Sequence, residues 1–468
     1  MSIFEYFSED QIRLLSIIIV SFPLAFIMSL IKNILIRKYF NIVCGLTMQI
    51  LMYKESYINI IISTLIVYSI CKRAIITKNK LIGTIVMIYT FIHLSILHLY
   101  RQIFDYGSWR MDITLLFMML SLKFISFGFS VDDGLYSNEE NNQIAKINEN
   151  FVIKEINFID FVGYVVFFPS SLMGPFFEYR KYVDYINVQN GFENVPFTLV
   201  YAFKRFCLAV AFCIIYIFIK NIMTVDNFFE SENKIFVFSI LMCQKYKYYI
   251  GFLFAESICI VSGISYKEST EMNNFDGIVN VHIVPCETSF SVKHFFQHWN
   301  ISVHNFLKRN IYLRYVVSSQ QFHQNSKKND EMSDKKNIDQ KTNLKAQLIT
   351  FAASAIWHGF YPSYYIIFIH FAIGMIVEKQ IEDIKKIHPN RVVSILFRIV
   401  FIIGFFLIGN YLFGVLEALD FSKCVKFMSY FYFIPSIFLF TVPLIFQAYI
   451  NLKKKSHEQH SQIHKHNK

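Results

Sequence analysis

Two polar residues in a very apolar chain have side chains suited to proton transfer and to polarising a carbonyl group. His358 lies in the stretch SAIWHGFYP, and no Asp, Glu, Lys or Arg occurs from Gln347 to Val377. A neutral imidazole in such surroundings can accept a proton from an attacking hydroxyl, which contributes about 10²–10⁴-fold to a rate. A histidine in a membrane segment can also be a hydrogen-bonded packing residue, which is our interpretation of His93, His98 and His370. The helix break expected at Gly359 and Pro362 distinguishes His358, because it opens space beside the ring.

Asn300 is the second candidate, and it lies in an amphipathic stretch at 290–316. Its amide can donate a hydrogen bond to a thioester carbonyl that is becoming an oxyanion, an interaction worth roughly 10²–10³-fold, or it can orient the hydroxyl. We predict that the stretches around Asn300 and His358 face one another across a membrane cavity and carry out acyl transfer.

The composition indicates an integral membrane protein. Of 468 residues, 54% are hydrophobic and only 17% are charged, and the mean hydropathy is +0.39. Apolar runs recur at about the length of 20 residues that a helix needs to cross a bilayer. The expected fold is therefore an all-α polytopic membrane protein with roughly ten to twelve transmembrane or re-entrant helices around a central catalytic chamber. The first apolar run, 14–31, is expected to act as an uncleaved insertion signal.

The expected domain organisation is simple. Residues 1–450 form one integral membrane domain with a motif-bearing core at 108–377. Within it, the polar segment 317–345 is expected to be a mobile loop, because it is poor in apolar residues. Residues 451–468 form a basic, His-rich tail that is expected to be solvated.

Charge and cysteine content indicate neither nucleic-acid binding nor a metal site. The net charge is +11, but the basic residues lie mostly in short loops and in the tail, as the positive-inside rule predicts. Two basic loops, IKNILIRKYF and CKRAIITKNK, are expected on the cytosolic side, with the N-terminus on the other. The eight cysteines form no C-x-x-C pair, so neither a disulfide framework nor a zinc site is predicted.

Five motifs in order resemble the membrane-bound O-acyltransferase family, and within it the lysophospholipid acyltransferase branch. The motifs are SWRMDITLLFMMLSLKFISFGFSVDDG, FFPSSLMGPFFEYRKYVDY, YKYYIGFLFAESICIVSGISY, SFSVKHFFQHWNISVHNFLKRNIYLR and SAIWHGFYPSYY. The resemblance covers residues 108–377 well and the flanks only by hydropathy. Three positions depart from the branch pattern: Phe252, Phe306 and Ser363. These departures make the identity of the substrate less certain, but they affect the expected reaction type less.

The resemblance implies roles for particular residues. His358 would be the catalytic histidine and Asn300 the second catalytic residue, in a chamber that acyl-CoA reaches from the cytosol. Five further residues fall on motif positions that would line or brace this chamber: Trp299, Trp357, Glu256, Tyr248 and Tyr249.

Several cations could meet the phosphates of acyl-CoA. The candidates are Lys245, Lys247, Lys308, Arg309 and Arg314, and ordinary positive-inside anchoring is the alternative for each. We expect no metal, no cofactor besides acyl-CoA as co-substrate and no covalent enzyme intermediate, since direct transfer needs only His358.

The implied function is acyl-CoA-dependent transfer of a fatty acyl chain to the free hydroxyl, at sn-2, of a lysophospholipid in phospholipid remodelling. Two alternatives stay open: an acyltransferase for a sterol, diacylglycerol or peptide acceptor, and a lipid transporter without catalysis. The Gly174–Tyr179 element favours a phospholipid. The protein is expected to be a multi-pass protein of the endoplasmic reticulum membrane. Whether it forms a homodimer is left open.

Overall fold

The protein is built almost entirely of helices. The structure is a computed structural model and describes residues 8–79, 81–108, 110–137, 143–171, 173–222, 233–267, 275–326, 332–387 and 391–466. No β-strand occurs within these ranges. The predicted all-α class is therefore confirmed.

The α-helices follow one another with short connections. In chain order they are α1 (Glu9–Leu30), α2 (Ile34–Tyr53), α3 (Ile58–Thr77), α4 (Ile82–Phe104), α5 (Ile113–Tyr136), α6 (Gln143–Ile147), α7 (Phe158–Val165), α8 (Tyr179–Ile186), α9 (Leu199–Ile222), α10 (Lys234–Gln244), α11 (Tyr246–Ser262), α12 (Ile283–Glu287), α13 (Val292–His298), α14 (Ile301–Leu307), α15 (Arg314–Ser326), α16 (Met332–His358), α17 (Pro362–Ile387), α18 (Arg391–Ala418), α19 (Phe421–Tyr430) and α20 (Ile434–His466). A π-helical segment, Lys308–Leu313, joins α14 to α15.

Eight helical segments of the described chain are long and apolar enough to cross a membrane. The predicted polytopic character is thus confirmed. The predicted number of ten to twelve helices included re-entrant helices as well as transmembrane ones. The segments are Glu9–Leu30, Ile34–Thr77, Ile82–Phe104, Ile113–Tyr136, Leu199–Lys220, Pro362–Ile387, Ile395–Ala418 and Ile434–Lys453.

The chain forms two compact units, which interleave along the sequence. The first unit consists of Met1–Ile214, Lys247–Val281 and Asn300–Gly359, and the second consists of Ile215–Tyr246, His282–Trp299 and Phe360–Lys468. Whether both act as one domain, as expected from the sequence, stays a prediction.

Helix α5 is the centre of the first unit. Its side chains are apolar on every face, which is typical of a helix surrounded by protein, and 83% of its most apolar window is buried. The Asp112 carboxylate caps its start by accepting from the Thr114 amide at 3.2 Å. Lys123 is only 2% exposed, and its ammonium donates to the Tyr164 carbonyl at 2.8 Å. Lys123 is therefore an internal residue that holds the end of α7.

The DDG sequence at the end of α5 connects three parts of the first unit. Asp132 caps the start of α4, because its two carboxylate oxygens accept from the amides of Ile82 at 2.9 Å and Gly83 at 2.7 Å. A Cβ added to Gly134 would lie 2.1 Å from the Ile153 carbonyl oxygen. Only glycine fits at this close approach of two backbone segments.

In the second unit, α17 packs against α18 and α20. The His370 imidazole on α17 bonds the Ser436 hydroxyl at 2.9 Å and the Ile366 carbonyl at 2.7 Å. The Tyr411 hydroxyl lies 3.0 Å from the same Ser436 hydroxyl. His370 is thus a hydrogen-bonded packing residue, as expected.

One segment differs from expectation. The predicted mobile polar loop at 317–345 contains helix in its described parts, because α15 extends to Ser326 and α16 begins at Met332; residues 327–331 lie outside the described residues. Low hydrophobicity argues against a buried core but not against a helix, and Lys, Gln and Met are good helix formers. In the basic tail, α20 continues as far as His466.

Candidate active site

The first unit contains both candidate catalytic residues. His358 is the last residue of α16, and the next helix begins at Pro362, so the helix break lies where the sequence predicts it. Gly359 closes the helix with its amide 3.1 Å from the Ala355 carbonyl and has a φ of +114°. A Cβ on Gly359 would lie 3.1 Å from Nδ1 of His98. Both the backbone conformation and the space beside His98 therefore require glycine.

Trp357 fixes the end of α16. Its indole Nε1 donates to the Met118 carbonyl at 2.9 Å and to the Ser121 hydroxyl at 3.0 Å, both on α5. Its carbonyl lies 3.1 Å from Nε2 of His98 on α4, which makes that nitrogen the donor. The ring packs edge-on against the His358 ring, with centroids 4.8 Å apart. Trp357 thus braces His358, in keeping with the role implied by the resemblance.

His358 itself is only half-buried, whereas Trp357 is 4% exposed. A half-buried imidazole beside a buried tryptophan suits a group that exchanges a proton with a bound substrate.

Asn300 stands at the start of α14 in the left-handed conformation, with a φ of +46°. Asn is one of the few residues that adopt this conformation readily. The Asn300 carbonyl accepts from the His304 amide at 3.0 Å, and the next amide, that of Ile301, donates to the Asn280 carbonyl at 2.8 Å. The Asn300 side chain is half-buried and makes no capping hydrogen bond to the first turn of α14.

Glu256 braces the backbone that receives α14. The side chain is 1% exposed, and Oε1 accepts from the amides of Asn280 at 2.7 Å and Val281 at 3.1 Å. Its other oxygen lies 3.5 Å from Nε of Arg205. Since Asn280 in turn binds Ile301, the carboxylate is two hydrogen bonds away from the backbone of Asn300.

One turn of α5 contacts the surroundings of both candidates. Met118 accepts from Trp357 next to His358, as described above. A Cβ on Gly174 would lie 2.7 Å from Cε of Met119 and 3.5 Å from Nδ2 of Asn280. Met118 thus contacts Trp357, while the next residue, Met119, and Asn280 both lie close to Gly174.

The other chamber candidates have different surroundings. Tyr249 is fully buried and packs edge-on against Phe212 in the first unit, with centroids 5.5 Å apart, so it belongs to the core. Tyr248 is half-buried, with the Lys247 ammonium 5.2 Å from its ring centroid. Trp299 lies in the second unit, where it stacks on Phe295 at 5.5 Å.

Three of the five cations proposed for CoA phosphates already have a carboxylate partner. Arg314 makes a bidentate contact with Asp133, at 3.0 and 2.6 Å. Arg309 lies 2.5 Å from Glu178, and Lys245, in the second unit, lies 2.5 Å from Glu287. Their charges are therefore compensated within the protein.

The remaining two cations, Lys247 and Lys308, are half-buried and exposed, respectively.

Sequence reasoning missed the groups that hold the candidates in place. His98 is a hydrogen-bonded packing residue, as expected, but its position beside Trp357 and Gly359 was not foreseen. Nothing in the sequence pointed to Asn280 or Ser121. Asn280 contributes its backbone carbonyl to Ile301, and Ser121 contributes a single hydroxyl to Trp357, which is far from it in the sequence.

Comparison with known proteins gives relatives of modest identity. The chain is 26% identical over 353 residues to lysophospholipid acyltransferase 6 of Drosophila melanogaster, a match that covers 69% of this chain and 44% of that protein. It is 26% identical over 404 residues to the lysophospholipid acyltransferase of Schizosaccharomyces pombe, covering 80% of this chain and 74% of that protein. Against the human membrane-bound glycerophospholipid O-acyltransferase 2 the identity is 24% over 294 residues, covering 57% and 51%. The chain thus spans less than half of the fly relative's length.

The family comparison covers more of the chain. The model of the membrane-bound O-acyltransferase family matches residues 98–330 and 339–417. The two matched ranges include α5, both candidate catalytic residues and the helix break after His358. The protein therefore belongs to the membrane-bound O-acyltransferase family.

Proposed function

We propose that this multi-pass membrane protein is an acyl-CoA-dependent lysophospholipid O-acyltransferase of the endoplasmic reticulum membrane. The observation that carries the proposal is the end of α16, where Trp357 and Gly359 hold a half-exposed His358 between α4 and α5. The family membership and the names of the relatives support an acyl transfer to a lysophospholipid.

The proposed reaction is a direct transfer. The free hydroxyl of the lysophospholipid attacks the thioester carbonyl while its proton passes to the neutral imidazole of His358. The carbonyl oxygen gains negative charge, and the Asn300 amide donates a hydrogen bond to it. The carbon–sulfur bond then breaks, and the departing thiolate takes the proton from the imidazolium. The products are the diacyl phospholipid and free CoA, and the histidine returns to its neutral form.

The arrangement of the two residues fits their roles. His358 and Asn300 are each half-buried, so each side chain can meet a substrate that enters from the bilayer or from the aqueous side. Hydrogen bonds of neighbouring residues, those of Trp357 and of Ile301, restrict the positions of both.

The test is acyl transfer by membranes that contain the protein, with oleoyl-CoA and a panel of lysophospholipids. We expect esterification of at least one lysophospholipid and a near-complete loss in the His358→Ala variant at equal expression. His93→Ala is the matched control, since His93 also lies in an apolar helix but bonds Ser63 at 2.8 Å in a packing role.

Two results would contradict this proposal. If a sterol, diacylglycerol or peptide is esterified but no lysophospholipid is, then the protein is an acyltransferase with a different acceptor from the one proposed. Activity that survives His358→Ala at the wild-type level would remove His358 from the mechanism.

A further inference from the structure

The first unit contains a second feature that the candidate reaction does not use, a partly open cavity of about 320 Å³. It lies between α8, the turn after α8 and the segment that follows α11. Its lining includes three cationic side chains and one carboxylate, together with aromatic rings: Arg180, Lys181, Lys267, Asp184, Phe192 and Tyr266. A volume of about 300 Å³ is the lower end of the range for small-molecule sites.

The carboxylate in this cavity is already engaged. Asp184 lies 3.2 Å from Nε of Arg180 and accepts from the Asn190 amide at 2.9 Å. Among the residues that the structure describes, no carboxylate lies within 4.0 Å of the ammonium group of Lys181 or Lys267. Within the described ranges, the lining of this cavity thus holds three cations and one carboxylate.

Lys181 is held in place on the wall of this cavity. Its ammonium donates to the Gly277 carbonyl at 3.2 Å and lies 5.8 Å from the ring centroid of Phe192. A Cβ added to Gly277 would lie 2.7 Å from this ammonium, so a side chain at that position would displace it. Desolvation, followed by the charge of Lys267, lowers the pKa of Lys181 to about 8. The two lysines are thus close enough to repel one another, and a bound anion would relieve the repulsion.

We propose that this cavity binds the phosphate group of a small molecule or a lipid headgroup. A phosphate monoester carries about −1.5 to −2 charges at neutral pH and accepts several hydrogen bonds, which matches a lining with three cationic side chains and one carboxylate that is already paired. The aromatic rings of Phe192 and Tyr266 provide an apolar surface beside the phosphate position. Arg309 lies behind one wall of the cavity, 4.2 Å from the ring centroid of the lining residue Phe151. Its charge and that of Arg314 are compensated by carboxylates.

The experiment measures binding without turnover, so that its result does not depend on acyl transfer. The purified full-length protein in detergent is titrated with two probes in separate arms, adenosine 3′,5′-bisphosphate and dihexanoyl phosphatidic acid. We expect saturable binding of at least one probe and an increase in Kd of about tenfold or more for Lys181→Gln and for Lys267→Gln, the usual effect of losing a charged hydrogen-bond partner. The arm that binds identifies the source of the phosphate as a nucleotide or a lipid.

The controls separate binding from folding. Lys72→Gln removes the same charge from an exposed position outside the cavity and should leave Kd unchanged. Lys267 is exposed, so Lys267→Gln remains informative even if a variant of the half-buried Lys181 fails to fold. Absence of saturable binding in both arms, or a Kd that neither lysine variant changes, would overturn the proposal.

Discussion

At the scale of single residues, the conformation of Asn300 determines which substitution is informative. Its φ of +46° disfavours alanine, because a Cβ strains the left-handed conformation. Asn300→Gly removes the side-chain amide, and glycine adopts the left-handed backbone conformation without strain. We therefore expect Asn300→Gly to keep the thermal stability of the wild type and to lose about 10²–10³-fold in kcat, the usual effect of deleting one oxyanion donor. Acyl transfer and thermal unfolding measured on the same preparation test this, and a variant with unchanged kcat would exclude Asn300 from the chemistry.

The cavity around Lys181 predicts a pH dependence of phosphate binding. The pKa of Lys181 is lowered to about 8 by desolvation and by Lys267, so the ammonium loses its charge as pH rises through about 8, and bound phosphate shifts this midpoint upward. The other charged groups that face the cavity are Arg180, Asp184 and Lys267. Affinity for the phosphate probe should therefore be greatest below pH 8 and fall from pH 8 to 10.

The same shift affects folding in the opposite direction. The folded protein binds the Lys181 proton less tightly than the unfolded chain does, so the stability contributed by this group increases between about pH 8 and the ordinary lysine value of about 10.4. Titrations of the phosphate probe at several pH values, compared with Lys181→Gln, check the binding prediction. An affinity that falls equally in wild type and variant would assign the effect to another group.

At the scale of elements, Glu256 connects α11 to the start of α14. Its carboxylate accepts from two amides, those of Asn280 and Val281, and Glu256→Ala would leave both donors buried without an acceptor. Gln keeps a carbonyl oxygen in the same place. We expect Glu256→Ala to lower kcat by about 10²-fold, the cost of a small misplacement of a catalytic group, with little change in KM for acyl-CoA, and Glu256→Gln to recover most of the loss. Equal losses in both variants would mean that the carboxylate acts through its charge.

The contact between Arg314 and Asp133 joins α15 to α5 and predicts a structural effect. Asp133 has a side chain only 4% exposed, so Arg314→Ala would leave a buried carboxylate without its partner. Such a change typically costs about 3–5 kcal/mol of stability. We expect a lower unfolding temperature, an unchanged KM for acyl-CoA in the remaining active protein and partial recovery of stability in Arg314→Ala/Asp133→Ala. A raised KM with normal stability would restore Arg314 as a phosphate ligand.

The sequence predicted elements better than it predicted contacts. Local signals were sufficient for the helix break between His358 and Pro362. Charge pairing could not be predicted in this way, since Arg314 and Asp133 are separated by 181 positions and Arg309 resembles any cation near a membrane surface. The Lys181 site was missed for the same reason, because its partner is the backbone carbonyl of Gly277. The polar segment at 317–345 was interpreted by hydrophobicity alone, which does not separate an exposed helix from a loop.

At the scale of the whole molecule, the membrane topology of the N-terminal helices is the remaining prediction. Helices α2 and α3 have 20 residues each, enough for about 30 Å of hydrocarbon apiece. The chain changes direction between them at Lys54, whose φ of +48° lies outside the helical region. The flanking basic residues, in 32–38 and 72–78, should lie in the cytosol, and the turn at Lys54–Tyr57 on the opposite side.

Epitope insertion tests this arrangement in sealed microsomes with the cytosolic face outward. A tag after Lys78 should bind antibody before any detergent is added, and a tag after Glu55 only after detergent, provided that both proteins keep wild-type acyl transfer. The residues next to both insertion points are exposed, so neither tag must displace a packed side chain. If both tags bind before detergent, then Ile34–Thr77 does not cross the bilayer twice. The positive-inside assignment would then fail for this half of the chain, and the cytosolic entry of acyl-CoA, which depends on that assignment, would have to be reversed or abandoned.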